Sequence, residues 1–590
     1  MKTTLLSVTT TLAVVLCALQ TGLEAQATRA SQGGSAAVMN AENTKGFQNA
    51  LDLPGGDAGT KIRNAIQALP AAGGVVDARG FSGTVPINGN LAAGIPATKA
   101  VTVLLGAATF VLASTGAQQL FAVNRFSLVG SGITNTVLQF SDPTQDIFVV
   151  PNSFSIGTQV SISNMTIEPA PGVKRTSGNI LRYGGNNGVF QNLRLIDAWQ
   201  GIFIQNSLQT MFDNIEFLTT REGTLNYGLF LYGYDVDDFF HHIYGDSNYP
   251  IGDAFIHTRN WVTGMHYSDI EWEDDKGGIG LHFDCSTSPE APSQDCSNAA
   301  NSRPEITRID QAYIESGPTQ SAVLMQGAQD IRFQNSYFAS SRSVRIQGES
   351  TSVSIDNSFI GNMIDQCIVV ATTSAGGPGK ADVSITNSEI NLCSQGNGAA
   401  PSITLMPGAS NVNIQGNRIG NNTYPQLNAR ESPYGIQLSG NNSNIRIIGN
   451  DFTSQRGGHH LMLKPILLQG APGENNIFFA NIPADALSNV PGVQNFPDGI
   501  NVGGSKQAIS NADHLLRFVG NITTTGANSD SLAVTGMSAS GHCEQQARNA
   551  QAATMVLTAP GVYTVTAAGS VTLHHPATGG ATFDVFCSFD

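Results

Sequence analysis

The sequence predicts an all-β protein built mainly as a parallel β-helix, and three observations favour this fold class. One short pattern recurs between Val160 and Pro483: an apolar β-branched or aromatic residue, a spacer, another apolar residue, and then Asn or a substitute. Successive copies lie 22 to 42 residues apart, although the pattern itself is kept. The chain also contains 64 Gly and only 12% charged residues, which is typical of turn-rich β-structure.

The Asn position of the repeat predicts a corner in each coil. Each copy alternates with period two, which predicts a strand whose apolar face is buried only when copies stack. Stacked Asn side chains can form a hydrogen-bonded ladder, and Asn tolerates the left-handed backbone of a corner. An antiparallel sandwich, the alternative, gives no reason for the recurring Asn. The corner positions are Asn164, Asn192, Asn214, His242, Asp269, Gln311, Asn335, Asn357, Asn387, Gly416, Gly449 and Asn481.

The N-terminal segment predicts export. Residues 1–27 combine Lys2, an apolar run and the small-x-small site Ala25-Gln26-Ala27, which indicates a signal peptide and an extracellular or periplasmic location. No later stretch approaches the roughly 18 apolar residues of a membrane span. Residues 28–56 are rich in small and polar residues, and we expect them to be loose.

Removal of the signal leaves six cysteines, which in an exported chain suggest disulfides. The spacing alone leaves the connectivity open. The nearest-neighbour pairing joins Cys285 to Cys296, Cys367 to Cys393, and Cys543 to Cys587.

Residues 57–69 predict a short amphipathic helix. Ile62, Ile66 and Leu69 share one face, Asp57 or Thr60 can cap the N terminus, and Pro70 follows. Two predicted strands come next, at 73–79 and 101–111. An open β-helix end exposes its apolar column, so a helix that covers this end is expected.

The helix, the Gly-Gly-Val-Val strand at 73–76 and the Leu-Gly-x-x-Thr-Phe strand at 105–110 together resemble the opening of the pectate-lyase-like superfamily. This resemblance implies a right-handed, single-stranded parallel β-helix with an N-terminal helical cap over residues 57–490. It implies a fold and leaves the reaction open.

Residues 491–506 lack the repeat and predict a linker, and residues 507–590 predict a small β-sandwich. Its expected strands begin at Leu532, Ala553, Tyr563, Ser570 and Thr582. The domain is similar to the β-domains that close phage tailspike-type β-helices, many of which form trimers, so the resemblance implies a homotrimer. A monomeric cap and a carbohydrate-binding module are the alternatives.

The segment 227–284 concentrates aromatic, histidine and acidic side chains, which suit a sugar because its C–H face packs on aromatics while carboxylates bond hydroxyls. Glu271 and Glu273 share a strand face about 6–7 Å apart, a spacing that suits an acid and a base. The candidate catalytic residues are Asp235, Asp237, Asp253, Glu271 and Glu273. The candidate substrate-binding residues are Trp199, Tyr232, Tyr234, His257, Arg259, Trp261, His266 and Trp272. No metal ligand is assigned.

The predicted function is that of a secreted polysaccharide-degrading enzyme, a glycoside hydrolase with paired carboxylates in a central aromatic-lined cleft and no required cofactor. The net charge is −15, and Arg259 and Lys276 are the only Lys or Arg in 227–284, which disfavours a polyuronate unless Ca²⁺ bridges the acids. A Ca²⁺-assisted polysaccharide lyase or epimerase, and a non-catalytic glycan-binding or adhesive protein, are the alternatives. We expect a polysaccharide or glycan partner and no nucleic acid.

Overall fold

The computed structural model describes residues 46–587 apart from 113–117, 122–124, 152–158, 222, 224, 275, 286–302, 372–381, 397–399, 423–431, 433, 453–454, 457–463, 470–475, 480, 482–492, 497–498, 503–516, 538, 540 and 559–560. The chain has two compact units. The first comprises Met1–Ile202 and Asn206–Leu218, and the second comprises Phe203–Gln205 and Thr219–Asp590. The predicted signal peptide lies outside the described residues. Within them, no helix is both long enough and apolar enough to cross a membrane.

The first unit consists of stacked parallel strands. In chain order these are β1 (Phe47–Asn49), β2 (Gly73–Ala78), β3 (Gly83–Ile87), β4 (Ala100–Leu105), β5 (Ala108–Leu112), β6 (Gln119–Leu120), β7 (Arg125–Val129), β8 (Val137–Phe140), β9 (Phe148–Val150), β10 (Gln159–Pro169), β11 (Asn179–Tyr183), β12 (Val189–Ile196), β13 (Trp199–Ile204) and β14 (Met211–Thr219). Strands β1, β2, β4, β7, β10, β12 and β14 form one parallel series. Strands β3, β5, β8 and the end of β10 form a second, and β6, β9 and β11 a third.

The predicted N-terminal helix is confirmed as α1 (Ala58–Ala68). Asp57 is its N-cap and accepts a hydrogen bond from the Thr60 backbone N–H at 3.1 Å. Ile62 and Ile66 are buried. Strand β1 and a 3₁₀ turn at Ala50–Asp52 precede the helix, within the segment expected to be loose. Order therefore begins before residue 57, because β1 pairs with β2.

The second unit also contains parallel coils. Its strands are β15 (Leu225–Tyr232), β16 (Asp235–Val236), β17 (Phe239–Ser247), β18 (Ala254–Arg259), β19 (Val262–Thr263), β20 (His266–Asp274), β21 (Ile279–Asp284), β22 (Glu305–Glu315), β23 (Val323–Gln326), β24 (Gln329–Gln334), β25 (Tyr337–Ala339), β26 (Val344–Gln347), β27 (Val353–Asp356), β28 (Phe359–Gly361), β29 (Ile368–Ala371), β30 (Val383–Thr386), β31 (Glu389–Asn391), β32 (Ile403–Leu405), β33 (Val412–Gln415), β34 (Arg418–Asn422), β35 (Tyr434–Leu438), β36 (Arg446–Ile448), β37 (Gln455–Arg456), β38 (Lys464–Leu468) and β39 (Ile477–Phe479).

Two sides of these coils matter for the site. Strands β15, β18, β21, β23, β26, β29, β32, β35 and β38 pair in parallel and are called the β15 series. Strands β17, β20, β22, β25, β28, β31 and β34 also pair in parallel and are called the β17 series. The predicted fold class, a right-handed parallel β-helix, is confirmed.

The predicted corner residues have the expected backbone conformation. Eleven of the twelve positions, all except Asn481, have φ between 47° and 66°. Asn192 donates a side-chain hydrogen bond to Asn164 and accepts one from Asn214, each at 2.8 Å. Asn357 donates in the same way to Asn335 at 2.6 Å. The recurring Asn therefore combines a left-handed corner with a bond to the next coil.

Replacing Asn192 with alanine should lower the free energy of unfolding by about 1–3 kcal/mol, because two ladder bonds are lost and alanine is strained at φ 52°. Asn192→Gly loses the same bonds without that strain, so its loss should be smaller. Denaturant titration of both variants measures the difference. Equal losses would show that backbone strain plays no part at this corner.

A separate group of antiparallel strands occupies the C-terminal part of the second unit. The strands are β40 (Val493–Phe496), β41 (Gly499–Val502), β42 (Arg517–Thr525), β43 (Ser529–Ala533), β44 (Cys543–Ala547), β45 (Tyr563–Ala567), β46 (Ser570–His574) and β47 (Gly579–Cys587). The strand orders β42-β47-β44 and β43-β46-β45 make two three-stranded sheets around one apolar core. This arrangement confirms the predicted C-terminal β-domain. Strands β40 and β41 form a hairpin inside the expected linker.

One strand prediction in this domain is wrong. The segment from Ala553 to Leu557 is helical and belongs to α2 (Ala550–Thr558). Its alanines favour a helix, and the Asn549 side chain accepts a hydrogen bond from the Ala552 backbone N–H at 2.9 Å, as an N-cap does.

Two of the predicted disulfides are confirmed, Cys367–Cys393 and Cys543–Cys587. Cys285 is also disulfide-bonded. Its predicted partner, Cys296, lies outside the described residues.

Candidate functional site

Charged side chains are buried together on the β15 series. Asp253, His257, Arg259, His282 and Asp284 are named the buried polar cluster. Side chains alternate between the two faces of a strand, which explains why cluster members share a face. Ile256 and Leu281 pair across β18 and β21 and are buried in the core. The next residue on each strand, His257 and His282, lies on the opposite face. Arg259 and Asp284 pair two residues further along.

His257 connects the two carboxylates of the cluster. Its Nδ1 lies 2.6 Å from Asp253 Oδ2, and its Nε2 lies 3.0 Å from Asp284 Oδ2. Arg259 holds Asp284 with two hydrogen bonds, Nε to Oδ1 at 2.7 Å and Nη2 to Oδ2 at 2.8 Å. The His257 and Asp284 side chains are 1% and 0% exposed, whereas that of Asp253 is 30% exposed. Asp253 is therefore the most solvent-accessible member of these contacts.

The contacts shift three pKa values. Burial alone raises the pKa of Asp253, but the hydrogen bond and the charge of His257 outweigh it and lower that pKa far below its usual range. Burial likewise opposes the charged form of His257, yet Asp253 and Asp284 raise its pKa above the usual value. The pKa of Asp284 is lowered despite burial, by His257 and Arg259. Opposite charges thus stabilise one another within the cluster.

His282 extends the cluster to the next coil. Its ring stacks on that of His257, with centroids 4.2 Å apart. Its Nε2 lies 2.8 Å from Gln326 Oε1, and its Nδ1 lies 3.8 Å from Asp253 Oδ1. Among the described residues, that Nδ1 is buried and has no hydrogen-bond partner.

A second group of acids lies on the β17 series. Asp246, Glu273 and Glu315 pair across three successive strands, and Glu271 lies two residues before Glu273 on the same face. These four residues are named the acidic patch. Glu273 is exposed and the other three are half-buried. Neighbouring coils place paired residues about 4.8 Å apart, and residues i and i+2 of a strand are about 6.7 Å apart.

An aromatic stack continues from the acidic patch. Tyr313 follows Glu271 in register, and Tyr337 and Phe359 follow on the next two strands. The rings are parallel, with centroids 4.7 and 4.8 Å apart. Because the rings stack face to face, these half-buried side chains present ring edges, and not ring faces, at the surface.

The Tyr313 hydroxyl donates a hydrogen bond to Glu315 at 3.1 Å. Burial raises the pKa of Tyr313, and the nearby charges of Glu315 and Glu273 raise it further. The phenol therefore stays a hydrogen-bond donor at the edge of the acidic patch.

The structure separates the predicted catalytic residues. Glu271 and Glu273 belong to the acidic patch, and Asp253 belongs to the buried polar cluster. Asp235 has no exposed surface, and Asp237 occupies a left-handed turn at φ 55°. The paired carboxylates expected in one cleft therefore lie on two different sides of the coil.

The predicted binding residues are also distributed. His257 and Arg259 are buried in the polar cluster, and half-buried Tyr232 pairs in register with Arg259. Tyr234 and Trp261 form an edge-to-face pair with centroids 4.4 Å apart. The remaining two residues lie elsewhere: Trp199 belongs to the first unit at φ 59°, and exposed His266 stacks on Phe239.

Trp272 requires a correction. Its indole is 0% exposed and stacks on Phe255 in the core, with centroids 4.5 Å apart, so it lines no open cleft. Period two contained this information, because Glu271 and Glu273 face one side of β20 and Trp272 must face the other.

Sequence reasoning did not select His282, Asp284, Asp246 or Glu315 as site residues. The first two repeat the alternation of His257 and Arg259 on the next coil, which is a signal in the sequence. Their register depends on turn lengths between coils, which the repeat does not fix.

Comparisons with known proteins agree with the fold. A family model for the right-handed β-helix region matches residues 292–452. No curated protein sequence matches the chain significantly.

Three solved structures illustrate the similarity. The A-module of a mannuronan C-5 epimerase from Azotobacter vinelandii has a TM-score of 0.38 and 16% identity over 72% of this chain and 99% of that chain. The catalytic unit of a GH87 α-1,3-glucanase from Streptomyces thermodiastaticus has a TM-score of 0.35 and 12% identity, over 74% of this chain and 68% of that chain. Tailspike protein 3 of bacteriophage CBA120 has a TM-score of 0.41 and 11% identity, over 77% of this chain and 63% of that chain. At such identities, substrate and reaction do not carry over.

Proposed function

Because this chain is a right-handed parallel β-helix protein, we propose that it binds a polysaccharide along the β17 series and hydrolyses it at the acidic patch. The observation that carries the proposal is the placement of Asp246, Glu271, Glu273 and Glu315 on three adjacent strands, each outside the core. The aromatic stack extends this surface along the coils. An elongated glycan would therefore cross acids and tyrosine hydroxyls in turn.

Glycoside hydrolysis needs two carboxyl groups. A protonated one donates its proton to the glycosidic oxygen, and an ionised one attacks the anomeric carbon or activates water. Glu273 pairs with Asp246 and Glu315 across coils, at a backbone spacing of about 4.8 Å, which is near the roughly 5–5.5 Å between the two carboxyl groups of retaining enzymes. Glu271 lies about 6.7 Å from Glu273 along the strand, which is near the roughly 6.5–9.5 Å of inverting enzymes. Glu273 is thus the one acid common to both arrangements.

The alternatives fit the patch less well. A lyase or epimerase needs a strong base and a cation that neutralises the substrate carboxylate. Arg259, a cation of the 227–284 segment, is buried and bonded to Asp284 on the other side of the coil. Secretion and a homotrimer remain part of the proposal as expectations from the sequence.

The test is product formation from a panel of neutral, mixed and uronate-containing polysaccharides. We expect new reducing ends without the ultraviolet absorbance of an unsaturated uronate. Glu273→Gln should lower the rate about 10²- to 10⁴-fold, because an acid, base or nucleophile is lost. Glu544→Gln is the matched control, since Glu544 is an exposed glutamate on β44 of the C-terminal antiparallel strands, outside the β17 series.

Each other outcome rejects hydrolysis at this patch. Unsaturated products would indicate a lyase. Retention on a glycan column without products would indicate a binding protein. An unchanged rate in Glu273→Gln would place the chemistry elsewhere.

A further inference from the structure

We propose that Asp253, His257 and His282 form a binding site for a divalent transition-metal ion, with Zn²⁺ as the first candidate. One ligand atom from each residue lies within 4.8 Å of those of the other two. The site belongs to the buried polar cluster and is separate from the acidic patch.

His282 supplies the first argument. Its Nε2 bonds to Gln326 Oε1 at 2.8 Å, and because that oxygen can only accept, Nε2 carries the hydrogen. The lone pair of the neutral ring is then on Nδ1. This atom is buried, points towards Asp253 Oδ1 at 3.8 Å, and has no hydrogen-bond partner among the residues that the structure describes. A buried acceptor without a partner costs free energy, and a metal ion would supply the partner.

His257 supplies the second argument. Its Nε2 bonds to Asp284, which Arg259 fixes in turn, and its Nδ1 points at the carboxylate of Asp253. In both histidines, therefore, Nε2 bonds to an acceptor oxygen and Nδ1 points towards the carboxylate of Asp253. Metal-binding histidines typically have this outer support, which fixes the ring and its tautomer.

The donor set indicates the kind of ion. Two imidazole nitrogens and one carboxylate oxygen occur in catalytic zinc sites and in sites of iron(II), where three protein ligands leave a position open. The Asp253 side chain is 30% exposed, so that position would face solvent. Ca²⁺ prefers six to eight oxygen ligands and is not expected here.

An ion-pair network without metal is the competing explanation. It accounts for His257, because both of its ring nitrogens bond to carboxylates. It accounts less well for His282, whose Nδ1 lies 3.8 Å from Asp253 Oδ1, too far for a hydrogen bond. The two explanations therefore differ in what substitution of His282 does.

The experiment uses tag-free, full-length protein freed of metal with a chelator. Titration calorimetry with Zn²⁺ and visible spectroscopy with Co²⁺ should show one ion bound per chain, while a large excess of Ca²⁺ should not compete. His282→Gln should abolish saturable binding. Gln326→Met should weaken it about 10- to 100-fold, because the outer support of His282 is lost.

His266→Gln is the matched control, because His266 is an exposed histidine outside the cluster, and its variant should bind like the parent protein. The proposal is overturned if the parent protein binds no Zn²⁺, if His282→Gln and Gln326→Met both bind with parental affinity, or if Ca²⁺ competes equally. Gln326→Met decides the matter if His282→Gln does not fold. Since binding is measured without any glycan, failure here is distinct from failure of the proposed hydrolysis.

Discussion

Trp272→Ala is expected to lower the free energy of unfolding by about 3–5 kcal/mol, the range for loss of a large buried aromatic side chain. The indole has no exposed surface and stacks on Phe255. Gly245 pairs with Trp272 on the preceding coil, and a Cβ there would lie 2.6 Å from the indole, so the core is shaped around this ring. Alanine would leave a cavity that close-packed coils cannot fill.

Two variants make this prediction specific. Trp272→Phe keeps an aromatic ring beside Phe255 and removes an indole N–H that has no hydrogen-bond partner in the described part of the chain, so its loss should stay below about 1.5 kcal/mol. Trp261→Ala removes a half-buried tryptophan and should cost less than Trp272→Ala. Chemical denaturation measures all three. A loss under about 1 kcal/mol for Trp272→Ala would contradict its place in the core.

Asp284→Asn is expected to destabilise the protein by about 3–5 kcal/mol, because it removes the buried negative charge that pairs with Arg259 and His257. The carboxylate is wholly buried and accepts two hydrogen bonds from Arg259 and one from His257. Its lowered pKa has the same cause, since the neighbouring cations favour the ionised form. The measurement is unfolding of metal-free protein, so that ion binding does not contribute.

Asp365→Asn is the matched control for this change. Asp365 accepts a bond of the same 2.7 Å length from Arg342, but the Arg342 side chain is 54% exposed. Removal of such a pair should cost about 1 kcal/mol or less. The double variant Arg259→Met with Asp284→Leu should recover part of the lost stability, because the arginine charge is removed together with its carboxylate partner. Equal losses for Asp284→Asn and Asp365→Asn would show that burial does not strengthen the effect.

The scaffold was predictable because its signals are local. A corner needs a left-handed residue, and Asn, Asp and Gly tolerate that conformation, so the sequence marks each corner directly. Alternation with period two likewise identifies which residues of a strand face the core. The α1 helix was predictable from Asp57 and its apolar face. The error at α2 arose where an alanine-rich apolar segment was read as a strand.

The site was less predictable because it depends on register. Glu273 and Glu315 are 42 residues apart in the chain, and their pairing follows from the length of the connection between β20 and β22. Asp253 and His282 come together only because β18 and β21 pair as they do. The sequence shows that the acids and histidines are concentrated in one segment. It does not show that they lie on two different sides of a coil.

The sequence by itself determined the repeating coil, its corners, the N-terminal helix and the presence of C-terminal β-strands, since backbone preferences and the alternation of apolar residues act within a few residues. The tertiary structure alone decided which acids are neighbours, that Trp272 belongs to the core, and that His257 and His282 direct their Nδ1 atoms towards one carboxylate. Those contacts join residues of different coils. They are set by stacking, which places side chains from distant parts of the chain about 4.8 Å apart.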